Sequence, residues 1–201
     1  MGTIGKKDIL GGGNSGNGSY GKLAHFKAEV INRFVEEKSV KTVIEWGCGD
    51  GNQLKLANYP QYIGYDISSK AISICREKFK KDTTKRFECS SNINFYNEFS
   101  AELSLSLDVL YHLIEDDVYK SYMKLLFESS TKYVCIYSCN YEDRKDIHVR
   151  CRKFTDYVDR NFPEWHLIKY IKNRYPVGNG SEQEESWSDF YFYEKCTKNN
   201  D

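Results

Sequence analysis

The 201-residue sequence predicts an α/β fold in which helices cover both faces of a mostly parallel β-sheet. Three observations support this prediction. Short β-branched or aromatic segments alternate with amphipathic segments, as in parallel sheets whose strands are joined by helices. One early strand runs directly into a glycine-rich turn. The last two strands follow one another without an intervening helix, which permits an antiparallel pair.

The N-terminal half contains three strand and helix pairs. Leu23, Phe26 and Val30 recur at the spacing of one helical face. Ser68 is placed to cap a helix that follows the second strand. The predicted elements are helix 22–38, strand 41–46, a helix that begins near 51–53, strand 62–66, a helix from Ser68 to Phe79, and strand 85–89.

The C-terminal half continues the alternation and then loses it. The acidic residues 115–117 suit the first turn of a helix because its N-terminal end is partly positive, and Pro163 marks the end of another. The predicted elements are strand 103–110, helix 115–127, strand 133–138, helix 154–162, and strands 165–174 and 190–194.

Charge and composition limit the function classes. The chain has 29 Lys and Arg against 29 Asp and Glu, so its formal net charge is zero. Proteins that coat duplex DNA or an anionic membrane draw affinity from a net basic surface, so a nucleic-acid partner is not expected. No apolar stretch approaches the ~20 residues that cross a bilayer, so membrane insertion is not expected either.

The seven cysteines include no CxxC pair of the kind that zinc ribbons use. Most of them lie in apolar runs. We therefore expect reduced, buried thiols rather than a disulfide or metal framework, in a cytoplasmic protein with no metal site.

Glycine is concentrated in two places. Eight of the 14 glycines lie in residues 1–21, and three more are Gly47, Gly49 and Gly51. Glycine at alternate positions lets a strand-to-helix turn approach a ligand without a Cβ in the way. Asn52 breaks the G-x-G-x-x-G dinucleotide spacing, and no Gly-Lys-Ser/Thr follows, which excludes a Walker loop.

Glu45 with GCGDG, followed by Asp66 at the end of the next strand, resembles the class I S-adenosylmethionine (SAM)-dependent methyltransferases. The resemblance covers about residues 22–195. It implies a Rossmann-like seven-stranded sheet with an antiparallel C-terminal strand pair, in one domain over residues 22–201 preceded by a glycine-rich segment, 1–21.

The resemblance also implies SAM as cofactor and S-adenosylhomocysteine as product. Glu45 and the loop would hold the methionine part, and Asp66 the ribose hydroxyls, for which a carboxylate is a bidentate acceptor. The family's usual adenine-binding Asp is absent, and Asn92 is a substitute that offers both a donor and an acceptor. The candidate cofactor residues are Glu45, Gly47, Cys48, Gly49, Gly51, Asp66, Ile67, Asn92, Ile93 and Leu107.

Polar residues follow the fourth strand, where open parallel sheets bind their ligands. This stretch, Leu107 to Leu113, resembles the fourth motif of small-molecule methyltransferases. His112 is the first candidate for a general base because imidazole titrates near neutrality, and the alternative is a histidine that only shapes the pocket. Asp108 and Tyr111 would position the acceptor, or Asp108 would be the base.

Two further segments each have two interpretations. The basic residues 144–153 form either a solvated helix face or an anion-binding segment over the acceptor, in which His148, Arg150 and Arg152 would act. The first glycine cluster is either a loose tail or a lid that closes over the site, with Tyr20 at its tip excluding water.

The sequence thus predicts methyl transfer to an oxygen, or with less support a nitrogen, of a small polar acceptor, which is anionic in the second interpretation of residues 144–153. The stretches GNGSYGKLAHFKAEVIN, IEWGCGDGNQL and SLDVLYHLIEDD resemble bacterial methyltransferases of surface-polysaccharide assembly, which implies a sugar or phosphorylated metabolite. The fourth motif reads DVLY and not the [DN]PP[YF] of base or glutamine methyltransferases. The alternatives are a protein or RNA methyltransferase and a non-catalytic SAM-binding regulator. The sequence leaves the oligomeric state open.

Overall fold

The computed structural model describes residues 17–90, 100–178 and 184–196. Its helices are α1 (Gly21–Glu37), α2 (Ser69–Lys78), α3 (Asp116–Glu128) and α4 (Phe154–Asn161). Its strands are β1 (Thr42–Trp46), β2 (Gln61–Asp66), β3 (Lys85–Cys89), β4 (Ala101–Leu107), β5 (Ser130–Ser138), β6 (Asp143–Asp146), β7 (Val149–Cys151), β8 (Trp165–Ile171) and β9 (Asp189–Lys195). Short 3₁₀ helices cover Asn17–Ser19, Gln53–Leu56 and Leu110–His112.

Seven strands form one sheet in the order β3-β2-β1-β4-β5-β9-β8. The first five strands in this order are mutually parallel, and β9 is antiparallel to both β5 and β8. The predicted fold class, a Rossmann-like sheet with an antiparallel C-terminal pair, is confirmed. The strand order reverses between β1 and β4, so the crevice beyond the carboxyl ends of these two strands is where such a fold binds ligands.

Alternation along the strands builds a core on each face of the sheet. Val43 packs in a cluster with α1, whereas its neighbour Ile44 packs with α3 and α4. The predicted cap of α2 is present, because the Ser68 hydroxyl accepts a hydrogen bond from the Ala71 N–H at 3.2 Å. These contacts fix the strand ends that carry the candidate site.

The structure differs from the sequence prediction at two elements near the site. The helix expected after the glycine loop is only one 3₁₀ turn, Gln53–Leu56. The fourth strand ends at Leu107 and not at residue 110, because Asp108 adopts a left-handed backbone with φ of 60°, which no strand continues.

The basic segment differs as well. Residues 143–151 form the two-stranded hairpin β6–β7, so the interpretation of this segment as a helix face is wrong. Cys139 and Cys151 form a disulfide that joins the end of β7 to the chain just after β5. The expectation that all seven cysteines are reduced is therefore wrong for this pair, and the other five form no disulfide.

Candidate active site

The glycine turn after β1 depends on backbone conformations that other residues rarely adopt. Gly47 has φ of 87° and Gly51 has φ of 72°. A Cβ on Gly47 would lie 2.5 Å from Val109 Cγ2, and one on Gly51 would lie 2.8 Å from the Phe79 ring. The N–H groups of Gly47 and Cys48 both donate to the Tyr65 carbonyl. The loop is thereby held at the carboxyl edge of the sheet.

Glu45 is buried inside this edge. Its Oε2 accepts a 2.6 Å hydrogen bond from the Tyr62 hydroxyl, and 5% of the residue is exposed. Burial raises the pKa of Glu45 to about 7; the Tyr62 hydrogen bond and the Lys27 charge lower it, and the Asp66 charge raises it. The site thus holds a carboxyl group that changes charge near neutral pH.

Asp66 ends β2 beside the glycine loop. Its two carboxylate oxygens accept the N–H groups of Gly49 at 2.9 Å and Ser68 at 2.8 Å. A carboxylate has about four acceptor positions, so two of them remain for a diol. Among the other cofactor candidates, Cys48 and Leu107 are buried and the Ile67 side chain is exposed. Asn92 and Ile93 lie outside the described residues.

Asp108 is the most densely bonded group of the site. Its Oδ2 accepts from the ammonium of Lys27 at 2.8 Å, and its Oδ1 accepts from the hydroxyls of Tyr111 at 3.1 Å and Ser188 at 3.2 Å. Only 2% of the Lys27 side chain is exposed. A buried ammonium is tolerated only with a close counter-charge, so Lys27 and Asp108 form one unit.

His112 lies on the 3₁₀ turn that follows Asp108, and its side chain is exposed. Its ring centroid is 4.5 Å from that of Tyr111. Within the described part of the chain, the imidazole has no hydrogen-bond partner. Burial, and then the Asp108 charge, raise the pKa of Tyr111 well above its usual value. Tyr111 is therefore a neutral hydrogen-bond donor at physiological pH.

The predicted anion-binding arginines face the protein. Arg150 and Arg152 donate to the chain after His112 and pair with Asp116 Oδ1 at 2.8 and 3.0 Å. His148 lies in the exposed turn of the β6–β7 hairpin. The structure therefore leaves His148 accessible to a ligand and engages both arginines internally.

The N-terminal segment reaches the same edge. The Asn52 side chain donates to the Ser19 carbonyl at 2.7 Å, and the Tyr20 hydroxyl lies 3.4 Å from Asp50 Oδ2. A Cβ on Gly18 would meet Asp108 Oδ2 at 2.8 Å. Residues 17–21 thus lie over the glycine loop and Asp108. Residues 1–16 are outside the described residues, so the division into a lid or tail and one domain stays a prediction.

A cluster of two aromatic rings and an ammonium lies near this edge, on the segments that follow β5 and precede β9. Lys145 Nζ is 5.4 Å from the Tyr141 ring centroid and 5.2 Å from that of Trp187. Both rings are partly exposed, at 37% and 42%. Trp187 precedes Ser188, whose hydroxyl reaches Asp108. We call Tyr141, Lys145 and Trp187 the aromatic rim.

Sequence reasoning missed Lys27, Ser188 and the aromatic rim. Lys27 had a detectable signal, because it lies four residues after Leu23 and four before Ile31, within the apolar face of α1. A lysine at a core position of a helix indicates a buried counter-charge. Ser188 and the rim had none, because only the folded sheet brings residues 141, 145 and 187 close to residue 108.

The comparisons with known proteins agree with this geometry. Residues 44–126 match the family described as "Methyltransferase domain". The comparison with curated proteins gives no match. The fold is similar to the methyltransferase domain of bacterial CtHen1-C, with a TM-score of 0.68 and 16% identity over 88% of this chain and 100% of that one.

Two further solved structures share the fold. N-methyltransferase NodS from Bradyrhizobium japonicum WM9, in complex with S-adenosylhomocysteine, has a TM-score of 0.68 and 13% identity over 86% of each chain. Magnesium protoporphyrin IX methyltransferase from Synechocystis PCC 6803, also with bound S-adenosylhomocysteine, has a TM-score of 0.65 and 13% identity over 86% of this chain and 83% of that one.

Residues 44–126 match a methyltransferase domain, and the fold is the one found in SAM-dependent methyltransferases. Two of the solved structures with this fold hold S-adenosylhomocysteine, the product that the cofactor SAM leaves. The residues present fit this cofactor, because a turn with glycine at alternate positions meets the Asp66 carboxylate, which has free acceptor positions. Among the described residues no helix is long and apolar enough to cross a membrane, and no group of three His, Cys, Asp or Glu side chains is arranged to hold a metal ion.

Proposed function

We propose that the protein transfers the SAM methyl group to an oxygen of a small anionic acceptor, a sugar or phosphorylated metabolite of surface-glycan synthesis. The observation that carries this proposal is the grouping of His112, Tyr111 and Asp108 beyond β4, next to the cofactor edge formed by Glu45 and Asp66. A free imidazole at this position is what an alcohol acceptor needs, because its proton must leave as the methyl group arrives.

SAM supplies a methyl group on a sulfonium, which is already a good leaving group, so the protein needs only to align the acceptor and remove its proton. In this proposal His112 takes that proton. Tyr111 donates a hydrogen bond to Asp108 and keeps its ring against the imidazole. Asp108 pairs with the Lys27 ammonium and holds Tyr111 and Ser188 in place, so it acts as an orienting group and not as the base.

The cofactor would lie along the carboxyl edge of β1, β2 and β4. The Gly47–Gly51 backbone and Glu45 would hold the methionine part, and the free acceptor positions of Asp66 would take the ribose hydroxyls. Cys48, Leu107 and Ile67 would line this cleft. Asn92 and Ile93 remain the candidates for the adenine. Tyr20 would cover the cofactor from the N-terminal side.

The aromatic rim supports an anionic, ring-shaped acceptor. Aromatic faces stack on the apolar face of a ring, and the Lys145 ammonium between them offers a cation to a phosphate or carboxylate. His148, in the exposed turn of the same hairpin, adds a second donor. Among the described residues, Lys145 forms an ion pair with Asp143 alone, with Nζ 2.9 Å from Oδ2. A zero net charge with this local cation favours a small anion over a polyanion.

The first test is direct. The purified protein should bind SAM in calorimetry and not NAD, and a screen of sugar phosphates and related metabolites should yield S-adenosylhomocysteine by mass spectrometry. Tight binding of NAD without binding of SAM would contradict the cofactor assignment. Salt-dependent methylation of RNA with no activity on sugar phosphates would replace the acceptor proposal, and SAM binding without turnover on any acceptor would favour a regulatory module.

The second test concerns His112. We expect His112→Ala to bind SAM normally and to lose about 10²-fold or more in turnover, the usual contribution of a general base. His166→Ala is the matched control, because His166 is an exposed histidine on β8. Full turnover in His112→Ala would remove His112 as the base.

A further inference from the structure

The β6–β7 hairpin is tied to the chain segment that directly follows His112. Arg152 donates to the carbonyls of both Leu113 and Ile114, the latter at 2.6 Å. Arg150 donates to the Ile114 carbonyl as well, at 3.1 Å. Both guanidinium groups also contact Asp116, in the first turn of α3. Arg150 of β7 and Arg152, just after β7, thus bind three groups of one short segment: two backbone carbonyls and the Asp116 carboxylate.

Arg152 is a fixed donor and not a mobile surface side chain. Only 9% of its side chain is exposed, and its guanidinium lies 4.5 Å from the ring centroid of Tyr119. The residue before it, Cys151, is fully buried and bonded to Cys139 after β5. The position of the Arg152 fork is therefore set by the sheet itself.

The segment needs such a donor because it has few internal hydrogen bonds. The 3₁₀ turn is closed by the His112 N–H to the Val109 carbonyl at 2.9 Å and the Leu113 N–H to the Leu110 carbonyl at 3.2 Å. The helical hydrogen bonds of α3 begin at the Glu115 carbonyl, which accepts from the Tyr119 N–H at 3.0 Å. The carbonyls of Leu113 and Ile114 therefore lie between the 3₁₀ turn and α3. The planar fork of an arginine can bind two neighbouring carbonyls, which an ammonium cannot do in the same geometry.

We propose that Arg152 is a positioning residue for His112, and this inference rests on the proposed role of His112 as the base. The imidazole has no hydrogen-bond partner of its own among the described residues, so the backbone on either side of it fixes its place. The 3₁₀ turn holds the N-terminal side, and Arg152, assisted by Arg150, holds the C-terminal side. Without the Arg152 guanidinium, the His112 side chain would keep its average position but would adopt several orientations.

The decisive experiment is NMR of protein with ¹³C-labelled histidine Cε1 positions, which needs no acceptor. The chain has four histidines, and the His112→Ala spectrum identifies the His112 signal. We expect Arg152→Lys to broaden or shift this signal and to leave the other three unchanged. The matched control is Arg144→Lys, because Arg144 lies on the same hairpin, is exposed and makes no side-chain hydrogen bond or ion pair within the described residues.

Turnover provides the second readout, measured with the first acceptor that reacts in the sugar-phosphate screen. Arg152→Lys should lower kcat about tenfold, since small misplacement of a catalytic group costs one to two orders of magnitude, with KM and SAM affinity within about twofold. The double variant His112→Ala with Arg152→Lys should be no slower than His112→Ala, because a positioning residue acts only through its target.

Each failure has a separate meaning. An unchanged His112 signal in Arg152→Lys overturns the inference, whatever the acceptor screen gives, and so does a double variant whose losses multiply. Full turnover in His112→Ala overturns the proposed base instead, while the NMR result still decides whether Arg152 holds this residue. Circular dichroism shows whether Arg152→Lys folds. If it does not, Arg150→Lys and Asp116→Asn remove other hydrogen bonds between the hairpin and residues 114–116, and each should broaden or shift the His112 signal.

Discussion

Glu45→Gln is expected to stabilise the protein without cofactor at alkaline pH and to weaken SAM binding. Glu45 is buried with one neutral donor, the Tyr62 hydroxyl, at 2.6 Å. Its ionised form therefore carries an uncompensated desolvation cost. A glutamine has nearly the same shape, can accept the same hydrogen bond and has no charge to desolvate, so the substitution removes this cost and keeps the packing.

The magnitude follows from the pKa of Glu45, which burial raises from 4.5 to about 7. Between these values the folded state binds more protons than the unfolded state, so the free energy of unfolding falls as pH rises through this window and is constant above it. A pKa difference of this size corresponds to about 3 kcal/mol above pH 7. At pH 5 the cost is only about 1 kcal/mol, because most folded molecules then keep the proton.

Urea unfolding of both proteins at pH 5 and pH 8, followed by circular dichroism, measures this difference. Glu45→Gln should exceed the wild type by up to about 3 kcal/mol at pH 8 and by about 1 kcal/mol or less at pH 5. Glu36→Gln, at an exposed position of α1, is the control and should show no pH-dependent difference. Calorimetry with SAM should show a loss of about tenfold or more for Glu45→Gln only. A stability difference that is the same at both pH values would refute the reasoning.

Three further predictions test other parts of the site. Gly47→Ala should cost about 2 kcal/mol or more and abolish SAM binding, because its Cβ would clash with Val109; Gly178→Ala, also at positive φ but with nothing within 4 Å, should keep SAM binding in the same calorimetry. Asp108→Asn should cost about 3–5 kcal/mol in urea unfolding, because it leaves the Lys27 ammonium buried without a counter-charge; Lys27→Met in the same chain should recover part of the loss, and no recovery would contradict the pairing. Iodoacetamide should label five of the seven cysteines in the denatured, unreduced protein and all seven after reduction, whereas seven labelled cysteines without reduction would exclude the disulfide.

Most of the sheet was predictable because most of its strands have a recognisable local pattern, although that of 85–89 is weak. The segments 41–46, 62–66 and 85–89 are close to β1, β2 and β3, and the absence of a helix between β8 and β9 marked the antiparallel pair. The predictions failed where tertiary contacts determine the secondary structure. Residues 143–151 are polar and charged, and they form a hairpin because Cys151 and the two arginines bind to parts of the chain that are remote in sequence.

The candidate site shows the same division. Glu45, the glycine loop and Asp66 were recognisable because backbone geometry and strand ends constrain their residue types locally. Arg150 and Arg152 looked like anion-binding residues, since composition alone does not show whether a guanidinium faces solvent or backbone carbonyls. The net charge of zero likewise gave no indication that Lys145 lies between two rings that are 46 residues apart in sequence, because only the fold brings them together.

The three carboxylates at the sheet edge have different hydrogen-bond partners, and these partners suit them to different roles. Asp66 accepts hydrogen bonds from two backbone N–H groups, which fix its orientation and leave about two acceptor positions free. Glu45 is buried behind the glycine loop with a neutral donor and lies too deep to meet an acceptor. Asp108 is near enough, but a proton on it would leave Lys27 buried without a counter-charge, which is costly. The exposed imidazole of His112 has no hydrogen bond to break within the described structure, and for that reason we propose His112 as the group that removes the proton.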